Sequence, residues 1–157
     1  MAGQVSHELE LNVPASQAWE LYGTVALATL VEKGLPNLIQ KIDLVEGDGG
    51  VGTVLQLRFA PGVPGKTDYK EKFTKIDNEK RIKEVEVVEG GYLDIGFTLY
   101  RTRIEVIEKE NDSSVVKTTI EYELKEEAAA NASLVSAETY AKIGEIAKNY
   151  LYKNKAS

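Results

Sequence analysis

The sequence predicts an α+β fold in which a curved antiparallel sheet wraps one long C-terminal helix. Three observations carry that expectation. Segments that alternate apolar and polar residues with a period of two recur along most of the chain, divided by turn-rich breaks. The helical signals are segregated, two short ones after the first strand and one long one at the end. That order excludes the strand–helix alternation of a parallel, doubly wound sheet. The C-terminal segment carries apolar residues at helical spacing, with lysines and glutamates elsewhere.

Val5, His7, Leu9 and Leu11 alternate with Ser6, Glu8 and Glu10, giving the first strand. Pro14 opens a short helix over residues 15–22, since proline suits a first helical turn whose N–H has no partner. Gly23-Thr24 breaks it, and a second short helix spans 25–33 and ends at Gly34. Residues 38–46 and 53–60 read as strands around the glycine loop that follows Glu46. Pro61-Gly62-Val63-Pro64-Gly65 is a turn-rich break. Strands over 69–76 and 81–89 are joined by the turn Asp77-Asn78-Glu79-Lys80. Glu89-Gly90-Gly91 then turns the chain into a long strand over 92–109. Its phase slips: Leu93, Ile95, Phe97 and Leu99 are odd, whereas Ile104 and Val106 are even. Either a bulge or a strand covered on both faces produces that pattern. Asn111-Asp112-Ser113 leads to a last strand over 115–125. Ser136 caps the long helix, whose apolar stripe is Tyr140, Ile143, Ala147, Tyr150 and Leu151.

A chain of 157 residues reads as one domain, 1–157, able to bury a sizeable core. The lack of cysteine excludes a disulfide framework, a thiolate metal site and a cysteine nucleophile. The N-terminus has neither a basic start nor an apolar run, so no signal peptide is expected and the compartment reads as cytoplasmic. No stretch approaches the roughly 18 apolar residues of a membrane span. A net charge of −6 disfavours nucleic acid and suits long-range attraction of cationic amines. The one histidine, His7, sits on the apolar face of the first strand without a nucleophile elbow or metal-ligand spacing, and reads as a core or strand-end residue. Asn111-Asp112-Ser113 and Asn131-Ala132-Ser133 match the glycosylation sequon, which without a signal peptide reads as chance.

Gly47-x-Gly49-x-x-Gly52 matches the spacing of the dinucleotide fingerprint, but that fingerprint needs a helix next. Thr53-Val54-Leu55-Gln56-Leu57 is a strand pattern instead, so the loop reads as a glycine-rich hairpin.

The chemistry-bearing signal is Lys83. Period two places it on the face of Val85 and Val87, and the preceding strand puts Tyr69, Glu71 and Phe73 on one face. A hairpin that keeps odd residues together brings Tyr69, Glu71 and Lys83 into one interior. Burial penalises the ammonium and the carboxylate alike, and such a pair suits acid–base or carbonyl chemistry. A second placement stays open: a lysine three residues past a turn can lie at a rim, with a cross-strand Glu71–Lys83 ion pair as a surface feature. Asp94, just after Gly90-Gly91-Tyr92-Leu93, falls where the phase is unresolved and points either inward or outward.

From Val5 to about Tyr152 the chain resembles the plant birch-pollen-allergen family (pathogenesis-related class 10), whose glycine loop is similar to Glu46-Gly47-Asp48-Gly49-Gly50-Val51-Gly52-Thr53. The resemblance implies a START-like helix-grip fold: a seven-stranded sheet gripping the C-terminal helix, two short helices closing one end, and a large apolar cavity. Tyr69-Lys70-Glu71-Lys72-Phe73, Lys80-Arg81-Ile82-Lys83-Glu84-Val85 and Glu89-Gly90-Gly91-Tyr92-Leu93-Asp94-Ile95-Gly96 resemble segments of the norcoclaurine synthase branch. That likeness implies catalytic roles for Tyr69, Glu71, Lys83 and Asp94, with Asp94 turned inward, and cavity roles for Phe73, Val85, Val87, Tyr140 and Ile143. Ser6-His7-Glu8-Leu9-Glu10 and Glu126-Glu127-Ala128-Ala129-Ala130-Asn131-Ala132-Ser133 look more like the norbelladine synthase group. The first group implies a Pictet–Spengler condensation of a dopamine-like phenethylamine with an aryl aldehyde, and the second an open-chain amine–aldehyde condensation. Most members of the wider family are ligand binders without known catalysis, and a non-catalytic carrier of hydrophobic plant metabolites or hormones is a further reading of the same cavity. No metal or organic cofactor is implied. The expected partners are small molecules, and the chain is expected to be a monomer or weak dimer.

Overall fold

The computed structural model describes residues 1–62 and 67–154. The order is β1 (Ala2–Leu11), α1 (Ala15–Tyr22), α2 (Ala26–Gly34), β2 (Ile39–Glu46), β3 (Val54–Phe59), β4 (Tyr69–Asp77), β5 (Ile82–Gly90), β6 (Phe97–Lys109), β7 (Ser113–Leu124) and α3 (Glu138–Lys153). The seven strands form one sheet in the order β1-β7-β6-β5-β4-β3-β2, with every neighbouring pair antiparallel. Consecutive hairpins build it from β2 to β7, and β1 closes on β7. The expected break over 61–65 lies outside the described residues beyond Gly62.

Helix α3 buries Ile143, Gly144, Ala147 and Leu151 against the sheet and the two short helices. Ser136 Oγ accepts the Glu138 N–H at 3.0 Å, which satisfies one of the unpaired donors of the first turn. Tyr150 departs from the expected stripe: it is exposed, one position off the face that Ala147 and Leu151 bury. His7 lies beneath α3, beside Leu9 and Gly144, as a strand residue under a helix. The Trp19 indole N–H donates to Asn78 Oδ1 at 2.9 Å and ties α1 to the β4–β5 turn.

The glycine loop joins β2 to β3 as a hairpin, and β3 follows it directly. The loop is pinned against β4, because Gly52 N–H donates to Phe73 O and Phe73 N–H donates to Thr53 O, both at 2.8 Å.

Two corrections concern the segments before β6 and after β7. The strand expected from residue 92 begins at Phe97, and Gly91–Ile95 is a 3-10 turn. Gly90, Gly91 and Gly96 have φ of 75°, 54° and 98°, conformations that break a strand at both ends of the turn. A register shift between Phe97 and Leu99 then explains the phase slip, after which Tyr100, Thr102, Ile104 and Val106 face inward. Glu126–Leu134, given no element by the sequence pattern, is a second 3-10 segment. Asn131 Nδ2 donates to Ile95 O at 2.8 Å and clasps the two turns together. Among the described residues, no helix is long and apolar enough to cross a membrane.

Candidate active site

Strands β4 and β5 deliver the reactive side chains through their register. Glu71 lies opposite Val87 and Phe73 opposite Val85, which puts these odd residues on the concave face. A bulge between Phe73 and Lys75 then sets Lys83 opposite Ile76. Lys83 therefore follows Val85 and Val87 into the interior, where it is 3% exposed. The rim placement and the cross-strand ion pair are corrected by this register: Glu71 and Lys83 sit at different levels of the hairpin.

Lys83 Nζ donates to Tyr22 O at 3.2 Å and to Thr24 O at 3.3 Å, and lies 4.0 Å from the centre of the Phe73 ring. Tyr22 is the last residue of α1, where helix carbonyls have no partner within the helix. The ammonium thus occupies the negative end of a helix dipole, with an aromatic face beside it. Nothing in a period-two pattern could reveal this anchor, because it joins segments 61 residues apart.

The concave face, α2, α3 and the Gly91–Ile95 turn enclose a cavity of about 110 Å³. One end is apolar, formed by Leu27, Val31, Ile39, Leu55 and Leu57. The other end is phenolic. There Tyr92 stacks on Tyr100 with ring centres 3.9 Å apart, and Tyr140 Oη donates to Thr102 Oγ1 at 3.3 Å. Tyr69, Glu71 and Lys83 all line the space between, as do the expected Phe73, Val85, Val87, Tyr140 and Ile143. Tyr100 and Thr102 escaped the sequence reading because the Phe97–Leu99 shift reverses the phase of β6. Regular alternation across Tyr100, Thr102, Ile104 and Val106 was the signal that could have found them.

Burial sets the electrostatics. It pushes the Glu71 carboxyl from the ordinary 4.5 up to about 7, against the opposing pull of the Lys83 charge. Burial lowers the Lys83 ammonium from 10.5 to about 8, and the Glu71 charge offsets part of that loss. The phenols of Tyr22, Tyr69, Tyr100 and Tyr140 are all held above the ordinary range, chiefly by burial, so they remain neutral donors. A carboxyl and an amine that both titrate near neutral pH can exchange protons with a substrate in either direction. Part of Glu71 faces the cavity void, so water or substrate can reach it although protein surrounds it.

Asp94 does not join this group. It sits exposed on the Gly91–Ile95 turn, while Tyr92 of the same turn lines the cavity. The inward direction implied by the resemblance is corrected by the turn, which rotates the side chain off the wall. Among the described residues, Glu71 is the one carboxylate that lines the cavity.

The sequence profile of the Pathogenesis-related protein Bet v 1 family matches residues 1–154, and the chain belongs to that family. It is 48% identical over 157 residues to norbelladine synthase of Narcissus pseudonarcissus, spanning 100% of this chain and 96% of that protein. It is 41% identical over 154 residues to S-norcoclaurine synthase 2 of Papaver somniferum, spanning 97% of this chain and 66% of that one. Among solved structures, a point mutant of Thalictrum flavum norcoclaurine synthase in complex with a transition-state analogue superposes with a TM-score of 0.91 at 36% identity, covering 99% of this chain and 98% of that one. The enzyme of the same plant in complex with dopamine and hydroxybenzaldehyde gives a TM-score of 0.88 at 36% identity, covering 100% of this chain and 90% of that one.

Proposed function

We propose that this chain condenses an arylethylamine with an aryl aldehyde inside its cavity. One observation carries the reading: a lysine and a carboxyl, both titrating near neutral pH, face the same cavity. The likeness to norbelladine and norcoclaurine synthases supports the substrate classes. The complex of one relative with dopamine and hydroxybenzaldehyde supports a cavity that holds both reactants at once.

Condensation begins when the amine nitrogen bonds to the aldehyde carbon. The carbonyl pair moves to oxygen, where the Lys83 ammonium donates a hydrogen bond and then a proton. Glu71 takes the proton shed by the nitrogen. Glu71 then returns that proton to the carbinolamine hydroxyl, which leaves as water and gives an iminium, and the apolar walls favour that dehydration by limiting competing water. Tyr69, a neutral phenol on the same face, hydrogen-bonds the bound ring and narrows the entrance. Holding both reactants together contributes much of the rate by effective concentration.

In the finer reading, the electron-rich ring of the amine then attacks the iminium carbon. A C–C bond forms, and Glu71 removes the ring proton to restore aromaticity. Such ring closure belongs to the lyase class of Pictet–Spengler enzymes. The open-chain outcome stops at the imine, and the 48% identity to norbelladine synthase favours it as the second reading.

Chiral chromatography of the product from dopamine and 4-hydroxyphenylacetaldehyde separates these outcomes. One enantiomer above background supports cyclisation. An imine trapped by borohydride without cyclised product supports the open-chain route. Racemic product at the uncatalysed rate, with saturable ligand binding, moves the assignment to a carrier of hydrophobic metabolites.

A further inference from the structure

We propose that Lys83 is also a nucleophile: its amine adds to the carbonyl carbon of an aryl aldehyde in the cavity and, with loss of water, holds the aldehyde as a protein-bound imine. The inference rests on the proposed reading in one respect, that the cavity admits an aldehyde.

Geometry carries the argument. Among the described residues, Lys83 is the one lysine lining the cavity. It sits on β5 between β4 and β6, its side chain is buried on the concave face, and its nitrogen is fixed by the Tyr22 and Thr24 carbonyls at 3.2 and 3.3 Å. A neutral amine donating both of its N–H bonds to those carbonyls keeps its lone pair off them. The nitrogen is therefore held in place while its pair stays available for bonding. The Phe73 ring centre lies 4.0 Å from the nitrogen, and with Val85 and Ile104 this ring gives the cavity apolar walls that limit the water able to hydrolyse an imine. Glu71 faces the same void as the proton source. Burial also makes the neutral form accessible: an amine titrating at about 8 is roughly one-tenth neutral at pH 7.

The step balances without oxidant or reductant. The Lys83 lone pair forms the C–N bond, and the carbonyl π pair moves to oxygen, which takes the Glu71 proton. The nitrogen returns a proton to Glu71, which passes it to the carbinolamine hydroxyl. The C–O bond breaks, water leaves and a C=N bond forms. An arylethylamine then adds to that imine and displaces Lys83, giving the substrate imine by exchange. The charged pair (Lys83 ammonium, Glu71 carboxylate) and the neutral pair (amine, carboxylic acid) hold the same number of protons. Both routes therefore share one pH profile, and covalent capture needs its own assay.

The test incubates the intact protein with 4-hydroxybenzaldehyde and no amine near pH 7, adds borohydride, and reads intact mass and peptide map. The expected result is one reduced aldehyde per chain, mapped to Lys83, formed at least about tenfold faster than at any surface lysine. Lys83→Arg keeps the charge but has no nucleophilic amine, and should abolish that label. Label spread evenly over surface lysines, or unchanged in Lys83→Arg, overturns the proposal. Carbonyl-labelled ¹³C aldehyde on the unaltered protein gives a reading independent of any variant's folding. A signal in the imine region is expected, and free aldehyde alone under saturation overturns the proposal. Amine–aldehyde turnover measured on the same preparation separates the two readings. Turnover without Lys83 labelling overturns covalent capture alone. Labelling without turnover supports capture and overturns the condensation reading.

Discussion

Replacing Glu71 with Gln should raise the stability of the protein at neutral and alkaline pH while abolishing condensation. The side chain keeps its shape, and only the ionisable proton is lost. In the folded protein Glu71 titrates near 7 in place of its ordinary 4.5. A carboxyl with a raised folded-state value binds its proton more tightly when folded. Its stabilising contribution is complete below about pH 4.5 and is lost as pH climbs to about 7. The full gap is worth about 3 kcal/mol at 1.36 kcal/mol per pH decade. Water in the cavity reduces it, so we expect the gain of the variant over the parent to grow by roughly 1–3 kcal/mol between about pH 4.5 and about pH 7.5. At roughly 2–4 °C per kcal/mol for a chain of this length, the two melting curves should separate visibly across that window. Calorimetry or urea melts of both proteins at matched pH supply the measurement. A stability difference that stays flat with pH, or that shrinks as pH rises, would refute the claim that burial holds this carboxyl near neutrality.

Further expectations follow from the same geometry. Condensation kcat/KM should be bell-shaped in pH, rising through about 7 as Glu71 ionises and falling through about 8 as Lys83 loses its proton. A profile flat from pH 6 to 9 would contradict it. Asp94→Asn should leave kcat within about twofold of the parent, because the side chain lies on the outside of its turn. Tyr140→Phe removes the 3.3 Å hydrogen bond to Thr102 at the phenolic end, and should cost about 0.5–1.5 kcal/mol in denaturant melts while changing KM for hydroxylated substrates. Leu151→Ala, on the buried face of α3 at 2% exposure, should cost about 2–5 kcal/mol in the same melts, with the pH profile unchanged.

The architecture was legible because it rests on local signals. Period-two runs, glycine-rich turns and a helical stripe are properties of contiguous sequence, and they located all seven strands and the three helices. The convergence of Tyr69, Glu71 and Lys83 was legible for the same reason, since one hairpin carries all three. The failures share a cause as well. A single extra residue at the Phe97–Leu99 shift reverses the inward set of β6, and alternation read without it misses Tyr100 and Thr102. Alternation leaves the direction of Asp94 open, because three glycines with positive φ wind its segment into a 3-10 turn that no strand template describes. The anchoring of Lys83 by the end of α1 depends on how helix and sheet dock, and no local pattern encodes that.

The most direct test of the account is the initial rate of imine formation from dopamine and an aryl aldehyde, quenched with borohydride, for the parent protein and Lys83→Ala. The account predicts a parent rate well above the uncatalysed background and a loss of at least about 100-fold in the variant, which should still bind the aldehyde saturably. A variant that condenses at the parent rate would contradict the central claim that the buried lysine is the chemical centre of this cavity.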